Sequence, residues 1–406
     1  MRTRVVVTGI GVVTSVGAGR EEFWESLLAG RCGISMVESF DTAAFGVHRG
    51  GEVKGFDAVP YLRRLDPSRI GRASQFAAAA ARMALADAGV EPDSLDPLRA
   101  GVSMGTTSGE PLEVERFDDL YVAKELDRVG PEFIGRYPCH LISANVAEEL
   151  GFAGVNMMIP TACAAGNYAV AHAFDTLRAG RADLMLAGGS DAFSRITYTG
   201  FARLGAVAPE TCRPFDRNRK GMIPGEGAGV LVLEPLKRAL VRGARIYAEV
   251  AGYGLSCDAH HMTAAHPEGD GAARAMMRAL EESCTRPEEV SYVSAHGTGT
   301  LTNDRLETIA VKRLFKEHAY RVPVSSVKSM LGHTMGAASA IEAAVCALAV
   351  HTDRIPPTIN LEEPDPECDL DYVPNRAREH RVSVAMNNAY AFGGNNASLV
   401  LKKCEV

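Results

Sequence analysis

Two stretches of this 406-residue chain resemble each other closely enough to be copies of one structural unit. The first contains a predicted helix at residues 76–89 and a strand at 100–104. The second contains a predicted helix at residues 272–284 and a strand at 290–295. A glycine-threonine turn follows each strand. Alternating helices and strands that repeat in this way predict two α/β halves packed on each other.

We place the N-terminal half at residues 1–250 and the C-terminal half at residues 251–406. In each half, the chain after the repeated strand reaches one chemically distinctive residue and then an alanine-rich helix. That residue is Cys163 in the first half and His333 in the second. An active site is therefore expected where the two halves meet, at strand ends and helix N-termini.

The first predicted strand is a β-branched run at residues 4–13 that contains Gly9 and Gly11. A Gly-x-Gly pattern after a strand can indicate a dinucleotide site. The third glycine of that pattern is missing, because Thr14 occupies its position, and no clear helix follows at once. Nucleotide binding is therefore the less favoured reading of this segment.

The bulk composition argues against several classes of function. The formal net charge is −7 and no basic stripe is long enough to follow phosphates, so no nucleic-acid partner is expected. The nine cysteines form no CxxC pair, which argues against a metal site or a disulfide framework. No apolar run approaches the roughly 18–20 residues of a membrane span, so no membrane association and a cytoplasmic location are expected.

Cys163 is the first candidate catalytic residue. It lies in the sequence PTACAAG at residues 160–166, directly before a helical run of small residues. A helix N-terminus lowers the pKa of a thiol, because the helix dipole and free N–H groups favour the thiolate. Small neighbours would also let a substrate carbonyl reach the sulfur and nearby N–H groups. A buried structural cysteine at a helix start is the alternative.

Two histidines lie in glycine-rich turns of the C-terminal half. His296 follows a predicted strand within AHGTGT, and His333 ends the sequence SVKSMLGH immediately before a helix. A single histidine in such a turn is more often structural than catalytic, but two at equivalent junctions favour a catalytic pair. A helix N-terminus disfavours imidazolium, so His333 is expected to be neutral and to donate a hydrogen bond.

Taken together, these motifs resemble those of the elongating β-ketoacyl-acyl-carrier-protein synthases, which are thiolase-like condensing enzymes. The resemblance covers essentially the whole chain. It rests on TACAAG at 161–166, RPFDRNRKG at 213–221 with GEGAG at 225–229, AHGTGT at 295–300 with Asn303 and Asp304, VKSMLGH at 327–333, and AFGG at 391–394. It implies an α/β fold of the thiolase-like type, with five αβαβα layers made of two duplicated halves.

The resemblance implies a decarboxylative Claisen condensation in two steps. Cys163 first takes an acyl group from a carrier protein, with the backbone N–H groups of Cys163 and Phe392 as the oxyanion hole. His296 and His333 then bind the malonyl thioester carbonyl, so that loss of carbon dioxide leaves an enolate that attacks the acyl group. The product is a β-ketoacyl carrier protein in fatty acid elongation. No cofactor is implied except the phosphopantetheine that arrives on the carrier protein.

Further residues receive roles from the same resemblance. Lys328 is implied to order the histidine loop through a link to Asp304, Glu307 or Glu342, and a plain structural salt link is compatible with that role. Phe392 matches the gating phenylalanine of the family, and the glycines that follow it would permit its loop to swing.

The chain departs from the family pattern around the gate and the acyl pocket. Tyr390, Ala391 and Asn395 replace the more usual Phe, Gly and Thr, and Ala391 puts the amplitude of loop movement in doubt. Ser108 and Glu110 are more polar than expected for the segment that resembles the acyl-pocket lining. Ser108 and Tyr390 are therefore candidates for contacting a specialised chain, unsaturated or oxygenated, as in polyketide pathways. Simple sequence drift is the alternative.

An acidic acyl-carrier protein is the partner that the resemblance implies, and arginines around the tunnel entrance would attract it. The candidate docking cluster is Arg63, Arg64, Arg69 and Arg72. A second basic cluster at residues 213–220 is less favoured, because its charges could pair internally. For both clusters, a solvated charged face is the alternative.

The family also implies a dimer. A homodimer is expected, and a heterodimer with a chain-length factor of a type II polyketide pathway is the alternative. A non-catalytic subunit of the chain-length-factor kind is disfavoured, because such subunits lose the cysteine that Cys163 represents. The catalytic residues are the same in fatty acid and polyketide synthesis, so only the pocket could distinguish the two pathways.

Overall fold

A computed structural model describes residues 3–405 of the chain. Its α-helices are α1 (Arg20–Leu28), α2 (Arg72–Ala88), α3 (Pro111–Ala123), α4 (Leu141–Leu150), α5 (Ala165–Arg178), α6 (Arg195–Arg203), α7 (Leu236–Val241), α8 (Asp270–Glu282), α9 (Leu301–Phe315), α10 (Lys328–Leu331) and α11 (Ala338–Thr352). Its strands are β1 (Val5–Thr14), β2 (Gly17–Ala18), β3 (Ser35–Met36), β4 (Arg49–Gly50), β5 (Ala100–Gly105), β6 (Asn156–Ile159), β7 (Leu184–Asp191), β8 (Gly227–Pro235), β9 (Ala248–Cys257), β10 (Tyr292–Ser294), β11 (Val324–Ser325), β12 (Arg354–Ile355), β13 (Arg378–Glu379), β14 (Val384–Tyr390) and β15 (Asn395–Lys402).

The strands of the two halves follow the same topology. The first half has the order β6-β5-β7-β8-β1, and the second has the order β11-β10-β14-β15-β9. In each half the first three strands of this order are parallel, and the last two are antiparallel to their neighbours. The halves meet where β1 pairs with β9 over Val5–Val7. The repeat in the sequence thus corresponds to a repeat in the structure.

Helices cover and separate the two halves of the sheet in five layers. The outer helices α2 and α4 pack on the first half, and α8 packs on the second half with α9 beside it. Between them lie α5 and α11, which contact each other and strands of both halves. This is the α/β, five-layered αβαβα architecture that the resemblance implied.

Small side chains allow the central layer to pack tightly. Residues 338–350 of α11 are all buried, and six of these 13 residues are alanine. A Cβ atom added at Gly166 in α5 would lie 2.5 Å from the backbone nitrogen of Ala340 in α11, which is closer than atoms can approach. The two helices therefore touch through their backbones, and this contact holds the N-terminus of α5 beside the start of α11.

One expectation about membranes needs correction. The segment Met335–Thr352 is long and apolar enough to cross a bilayer, contrary to the sequence analysis. In the folded chain, however, 89% of this segment is buried inside the protein, as the central helix α11. Its hydropathy therefore reflects a position between the two halves of the sheet.

The repeated elements begin and end close to the predicted positions. The largest difference is at α2, which starts at Arg72 and not at residue 76. The reason is a cap from a distant segment, because the Glu110 carboxylate accepts the backbone N–H groups of Ala73 and Ser74 at 3.1 and 2.7 Å. Glu110 is thus a buried helix cap, and the acyl-pocket interpretation of its polarity is wrong.

Candidate active site

Cys163 lies on a tight turn between β6 and α5. A single 3-10 turn, Ala162–Ala164, carries it directly to the N-terminus of α5. Ala162 has a φ of 50°, a left-handed conformation that an alanine adopts only when its surroundings enforce it. The Cys163 side chain is 7% exposed. The strained turn thus holds the sulfur at the inner end of a helix, largely shielded from solvent.

The two histidines approach the sulfur from the other half of the molecule. His296 follows β10, and its backbone N–H and that of Gly297 donate to the Glu307 carboxylate, both at 2.8 Å. His333 follows α10, and its Nε2 lies 3.1 Å from Cys163 Sγ. The two imidazole rings have centroids 5.5 Å apart and are nearly perpendicular, at 84°. One thiol and two imidazoles therefore share one site.

The protonation of His333 follows from its hydrogen bonds. The backbone N–H of Met335 donates to His333 Nδ1 at 3.2 Å, so in the neutral ring the proton is on Nε2 and points towards Cys163. Burial, reinforced by the positive charge of Lys328, lowers the pKa of His333 well below its ordinary value. His333 is therefore a neutral donor, as the sequence predicted.

His296 is also neutral. Burial lowers its pKa well below the ordinary value, and Lys328 and His333 act in the same direction. Its Nδ1 is buried and has no hydrogen-bond partner among the described residues.

The pKa of the Cys163 thiol differs from the prediction. Burial raises it to about 12, and the charge of Lys328 is the largest opposing influence. The expectation of a lowered pKa is wrong, because the helix N-terminus that motivated it lies in an interior that penalises the thiolate more strongly. Cys163 is therefore a thiol in the free protein at neutral pH.

Lys328 forms a buried ion pair with Glu342. The other two predicted partners, Glu307 and Asp304, accept hydrogen bonds from backbone N–H groups. Lys328 and Glu342 are 1% and 2% exposed, respectively. Burial raises the pKa of Glu342 to about 7, against the lowering influence of Lys328. Glu307 caps the His296 turn, as described above, and burial raises its pKa to about 7 as well.

Asp304 belongs to a different network. It accepts the backbone N–H groups of Phe215 and Gly299, at 2.8 and 3.2 Å, and lies 3.6 Å from Arg219. It therefore stabilises the AHGTGT turn through the N–H of Gly299 and is not a partner of Lys328.

A cavity of about 220 Å³ opens onto these residues. Its lining includes the catalytic candidates Cys163, His296 and His333 together with Tyr390 and Phe392. We define its mouth as the exposed lining residues Ala264, Ala265, Thr302 and Phe392. Ser108 is not among the residues that line this cavity, and its hydroxyl lies 3.3 Å from that of Thr197. Its role in an acyl pocket stays a prediction.

Phe392 lies at the mouth on a short loop. Its side chain is 40% exposed, and its ring centroid lies 5.7 Å from that of Phe201. Gly393 and Gly394 follow in left-handed conformations, with φ of 83° and 77°. Ala391 has an ordinary extended conformation, with φ of −127°, so its side chain imposes no strain on the loop in this state.

The Phe392 loop is held by a neighbouring segment that the sequence analysis missed. Asp258 donates its backbone N–H to the Gly394 carbonyl at 2.9 Å, and its carboxylate accepts from Asn396 at 2.7 Å. The backbone N–H of Gly393 donates to the Met262 carbonyl at 2.8 Å. Movement of Phe392 away from the cavity would therefore require these contacts to change.

Asp191 is a second residue that the sequence analysis missed. Its carboxylate accepts from the Thr106 hydroxyl and from the backbone N–H groups of Thr107, Ser108 and Gly336, at 2.7–2.9 Å. Burial raises its pKa to about 6. One carboxylate thus ties the turn after β5 to the turn after His333. Its signal in the sequence is a charged residue at the end of an otherwise apolar strand.

The predicted docking arginines do not form one free cluster. Arg72 is bound to the buried Glu226 carboxylate at 2.8 Å and is therefore structural. Arg64 pairs with Asp93 at 2.8 Å, and Arg63 lies 3.9 Å from Glu91. Arg69 is exposed, and none of the four lines the cavity.

Two family models match this chain. The N-terminal domain of β-ketoacyl synthases matches residues 2–239, and the C-terminal domain matches residues 247–362. The 3-oxoacyl-[acyl-carrier-protein] synthase 2 of Synechocystis sp. is 42% identical over 99% of this chain and 98% of its own length. The enzyme of the same name from Staphylococcus aureus is 40% identical over 99% of both chains.

Solved structures of ketosynthases also superpose on this chain. The ishigamide ketosynthase/chain length factor superposes with a TM-score of 0.96 at 45% identity, covering all of both chains. A type II polyketide ketosynthase, bound to a hexaketide and in complex with its acyl-carrier protein, superposes with a TM-score of 0.92 at 34% identity, again over all of both chains.

The raised pKa of Cys163 predicts how its reactivity depends on pH. The rate at which iodoacetamide alkylates Cys163 should rise about tenfold per pH unit from pH 7 to 10, because the small thiolate fraction keeps growing below the pKa. A cysteine peptide, which ionises near pH 8.5, is the control and should level off within that range. Peptide mass spectrometry resolves the Cys163 adduct. A Cys163 rate that levels off below pH 8 would contradict the raised pKa.

Proposed function

The chain belongs to the β-ketoacyl synthase family and is a condensing acyltransferase, and we propose that Cys163, His296 and His333 carry out its reaction. The reaction is the decarboxylative condensation of a malonyl-acyl-carrier protein with an acyl group held on Cys163. The observation that carries this proposal is the position of His333 Nε2, 3.1 Å from the Cys163 sulfur, with His296 in the same cavity.

In the first step, the Cys163 sulfur attacks the thioester carbonyl of the incoming acyl-carrier protein. The sulfur–carbonyl bond forms, the bond to the phosphopantetheine sulfur breaks, and the thiol proton ends on the departing phosphopantetheine. The backbone N–H groups of Cys163 and Phe392 would stabilise the oxyanion. Among the described residues, neither N–H donates to a backbone carbonyl outside its own turn, so both are free for this role.

In the second step, malonyl-carrier protein replaces the product. The Nε2–H groups of His296 and His333 would donate to the malonyl thioester carbonyl. The carbon–carboxylate bond then breaks and carbon dioxide leaves, and its electron pair forms an enolate that the two donors stabilise. The enolate carbon attacks the acyl carbonyl on Cys163, and the bond from that carbonyl to sulfur breaks to give a β-ketoacyl carrier protein. The Cys163 thiolate that leaves takes up a proton from solvent, which restores the thiol. We propose that no resident cofactor takes part.

Lys328 supports this chemistry through its effect on the protonation of the two histidines. Its charge, partly balanced by Glu342, disfavours protonation of both imidazoles. Neutral rings place no further positive charge at the cavity that would hold the malonyl carboxylate and oppose its loss.

Substitutions separate the two steps. Cys163→Ser should form no acyl adduct, because a serine hydroxyl stays protonated with no base aimed at it. His296→Ala and His333→Ala should still acquire the acyl group but lose decarboxylation by about 100-fold or more. Intact-protein mass spectrometry measures the adduct, and release of labelled carbon dioxide measures decarboxylation.

Cys284→Ser, at an exposed thiol, is the matched control and should behave as the wild type. Normal condensation by either histidine variant would show that the proposed roles are wrong.

We propose that the acidic carrier protein docks beside the mouth of the cavity. Arg203 and Lys220 are exposed, and each lies two residues from a lining residue, Phe201 and Met222 respectively. A phosphopantetheine arm that enters at the mouth would bring the carrier surface next to these cations. Arg63 and Arg69 remain a second predicted docking site, while Arg72 is excluded by its internal ion pair.

Charge reversal tests this docking site. Arg203→Glu should raise the Michaelis constant for malonyl-carrier protein several-fold at low salt, and the difference should shrink as salt screens the contact. Turnover of a malonyl-pantetheine substrate without the carrier should not change. The control is Arg286→Glu, at a side chain that is 77% exposed. Equal Michaelis constants for Arg203→Glu and the wild type would contradict docking at the mouth; Arg63→Glu and Arg69→Glu in the same assay test the other cluster.

We propose that the chain forms a homodimer through the outer edge of its first half-sheet. β6 is the last strand of that edge, and Met157 at its centre is 40% exposed. A second apolar surface surrounds α3, where Phe117, Phe133 and Tyr137 stack at 5.1 and 4.6 Å and Tyr121 is 61% exposed. An open strand edge and an exposed aromatic face both favour burial against another chain.

The oligomeric state checks this proposal. Sedimentation at micromolar concentration should give twice the monomer mass for the wild type and the monomer mass for Met157→Asp, which places a charge on the edge strand. Met277→Asp, at an exposed methionine of α8, should remain dimeric. A wild-type chain that sediments only as a monomer would contradict the homodimer and favour pairing with a related subunit.

A polyketide role is the second candidate function. The ishigamide ketosynthase/chain length factor is 45% identical to this chain, slightly more than the 42% of the Synechocystis 3-oxoacyl-[acyl-carrier-protein] synthase 2. We therefore propose a specialised acyl chain and a chain-length-factor partner as the alternative to general fatty acid elongation. The cytoplasmic location expected from the sequence remains a prediction.

A further inference from the structure

Two buried polar atoms of residues that line the cavity have no hydrogen-bond partner among residues 3–405. They are His296 Nδ1 and the Tyr390 hydroxyl. Both side chains line the cavity, at 4% and 9% exposure, and their rings are in edge contact with centroids 5.7 Å apart. An unsatisfied polar atom in an interior is unfavourable, so two on rings in contact with each other require an explanation.

The other histidine shows what His296 lacks. His333 Nδ1 receives the backbone N–H of Met335, which fixes the proton of that ring on Nε2. The corresponding nitrogen of His296 receives no such bond, although the proposed reaction requires the Nε2–H form of both rings. With its Nδ1 unpaired, the His296 ring could carry its proton on either nitrogen.

We propose that the Tyr390 hydroxyl donates to His296 Nδ1, directly or through one water molecule in the cavity, and thereby holds His296 in the Nε2–H form. Tyr390 is thus a positioning residue for the reaction. The Tyr390 hydroxyl is a suitable partner, because it can donate the hydrogen bond that His296 Nδ1 lacks. It also stays protonated, since burial holds the pKa of Tyr390 well above its ordinary value.

The position of Tyr390 in the chain suits this role. It is the last residue of β14, two residues before Phe392, and its ring packs in the same apolar cluster as Phe215 and Met386. The aromatic ring therefore fills a core position that phenylalanine would fill equally well. The hydroxyl is the only group that phenylalanine would not supply, so its removal isolates the proposed effect.

This inference rests on the proposed function, and Tyr390→Phe tests it. Acyl transfer to Cys163 should be unchanged, because that step does not use His296. Decarboxylation of malonyl-carrier protein should fall by about tenfold or more, mainly in the turnover number, because part of the enzyme holds His296 in the wrong form. Tyr198→Phe, at a buried tyrosine outside the cavity lining, is the matched control and should leave both steps unchanged.

The tautomer itself is observable by nuclear magnetic resonance of the protein with ¹⁵N-labelled histidine, with His296→Ala identifying the signals. In the wild type, His296 should carry its proton on Nε2 with Nδ1 as a hydrogen-bonded acceptor. In Tyr390→Phe, the Nδ1–H form should appear. This wild-type measurement does not depend on whether the variant folds.

Several outcomes would overturn the proposal. An Nδ1–H form in the wild type would do so directly. An unchanged His296 tautomer in Tyr390→Phe would show that the hydroxyl is not needed to hold the Nε2–H form, whatever the rate of decarboxylation. Unchanged decarboxylation would show that the hydroxyl has no part in it. Failure of the proposed function is distinguishable, because the wild type itself would then neither acylate Cys163 nor release carbon dioxide.

Discussion

The backbone contact between α5 and α11 is the constraint on which the site depends. Gly166 in α5 has no room for a side chain against Ala340, and Gly189 at the end of β7 has none against the Gly336 carbonyl, where a Cβ would lie 2.6 Å away. These contacts place the start of α5, which carries Cys163, against the segment that follows His333. Asp191 then locks the two turns together by accepting N–H groups from both halves. The thiol and the imidazole are 170 positions apart in the sequence. They meet because small residues allow the two helices to touch.

The second determinant of the chemistry is the electrostatics of a buried site. Burial disfavours every charged form at the site, so it raises the pKa of Cys163 and lowers that of both histidines. Lys328 reinforces the effect on the histidines and opposes it at the cysteine. The result is a neutral resting site in which a thiol faces two hydrogen-bond donors. Such a site stabilises negative charge that appears during the reaction, on the tetrahedral oxygen and then on the enolate, without a permanent ion pair at the reacting atoms.

The sequence was most informative where the chemistry is local. The repeat predicted the duplicated α/β halves, and the glycine-rich turns around Cys163, His296 and His333 predicted that these residues meet. Features that depend on distant contacts were not predictable. Arg72 resembles a free surface cation until Glu226 is found beside it, and Glu110 resembles a polar pocket residue until it is found capping α2. The helix N-terminus predicted a lowered pKa for Cys163, but burial raises it. The depth of burial depends on the whole fold, so the local sequence could not reveal it. Asp191 and Asp258 were missed for the same reason, since their partners lie in other segments.

We propose that this site forms carbon–carbon bonds between a malonyl-carrier protein and an acyl group on Cys163. Intact-protein mass spectrometry of the wild type with malonyl-carrier protein and a panel of acyl-carrier proteins tests it most directly. We expect an acyl adduct on Cys163 and a β-ketoacyl carrier protein formed with loss of carbon dioxide. Turnover of many saturated chains would indicate fatty acid elongation, and turnover confined to unsaturated or oxygenated chains, or only with an added subunit, would indicate a polyketide pathway. The absence of both adduct and condensation product across the whole panel, with and without such a subunit, would show that Cys163 and the two histidines do not carry out this condensation.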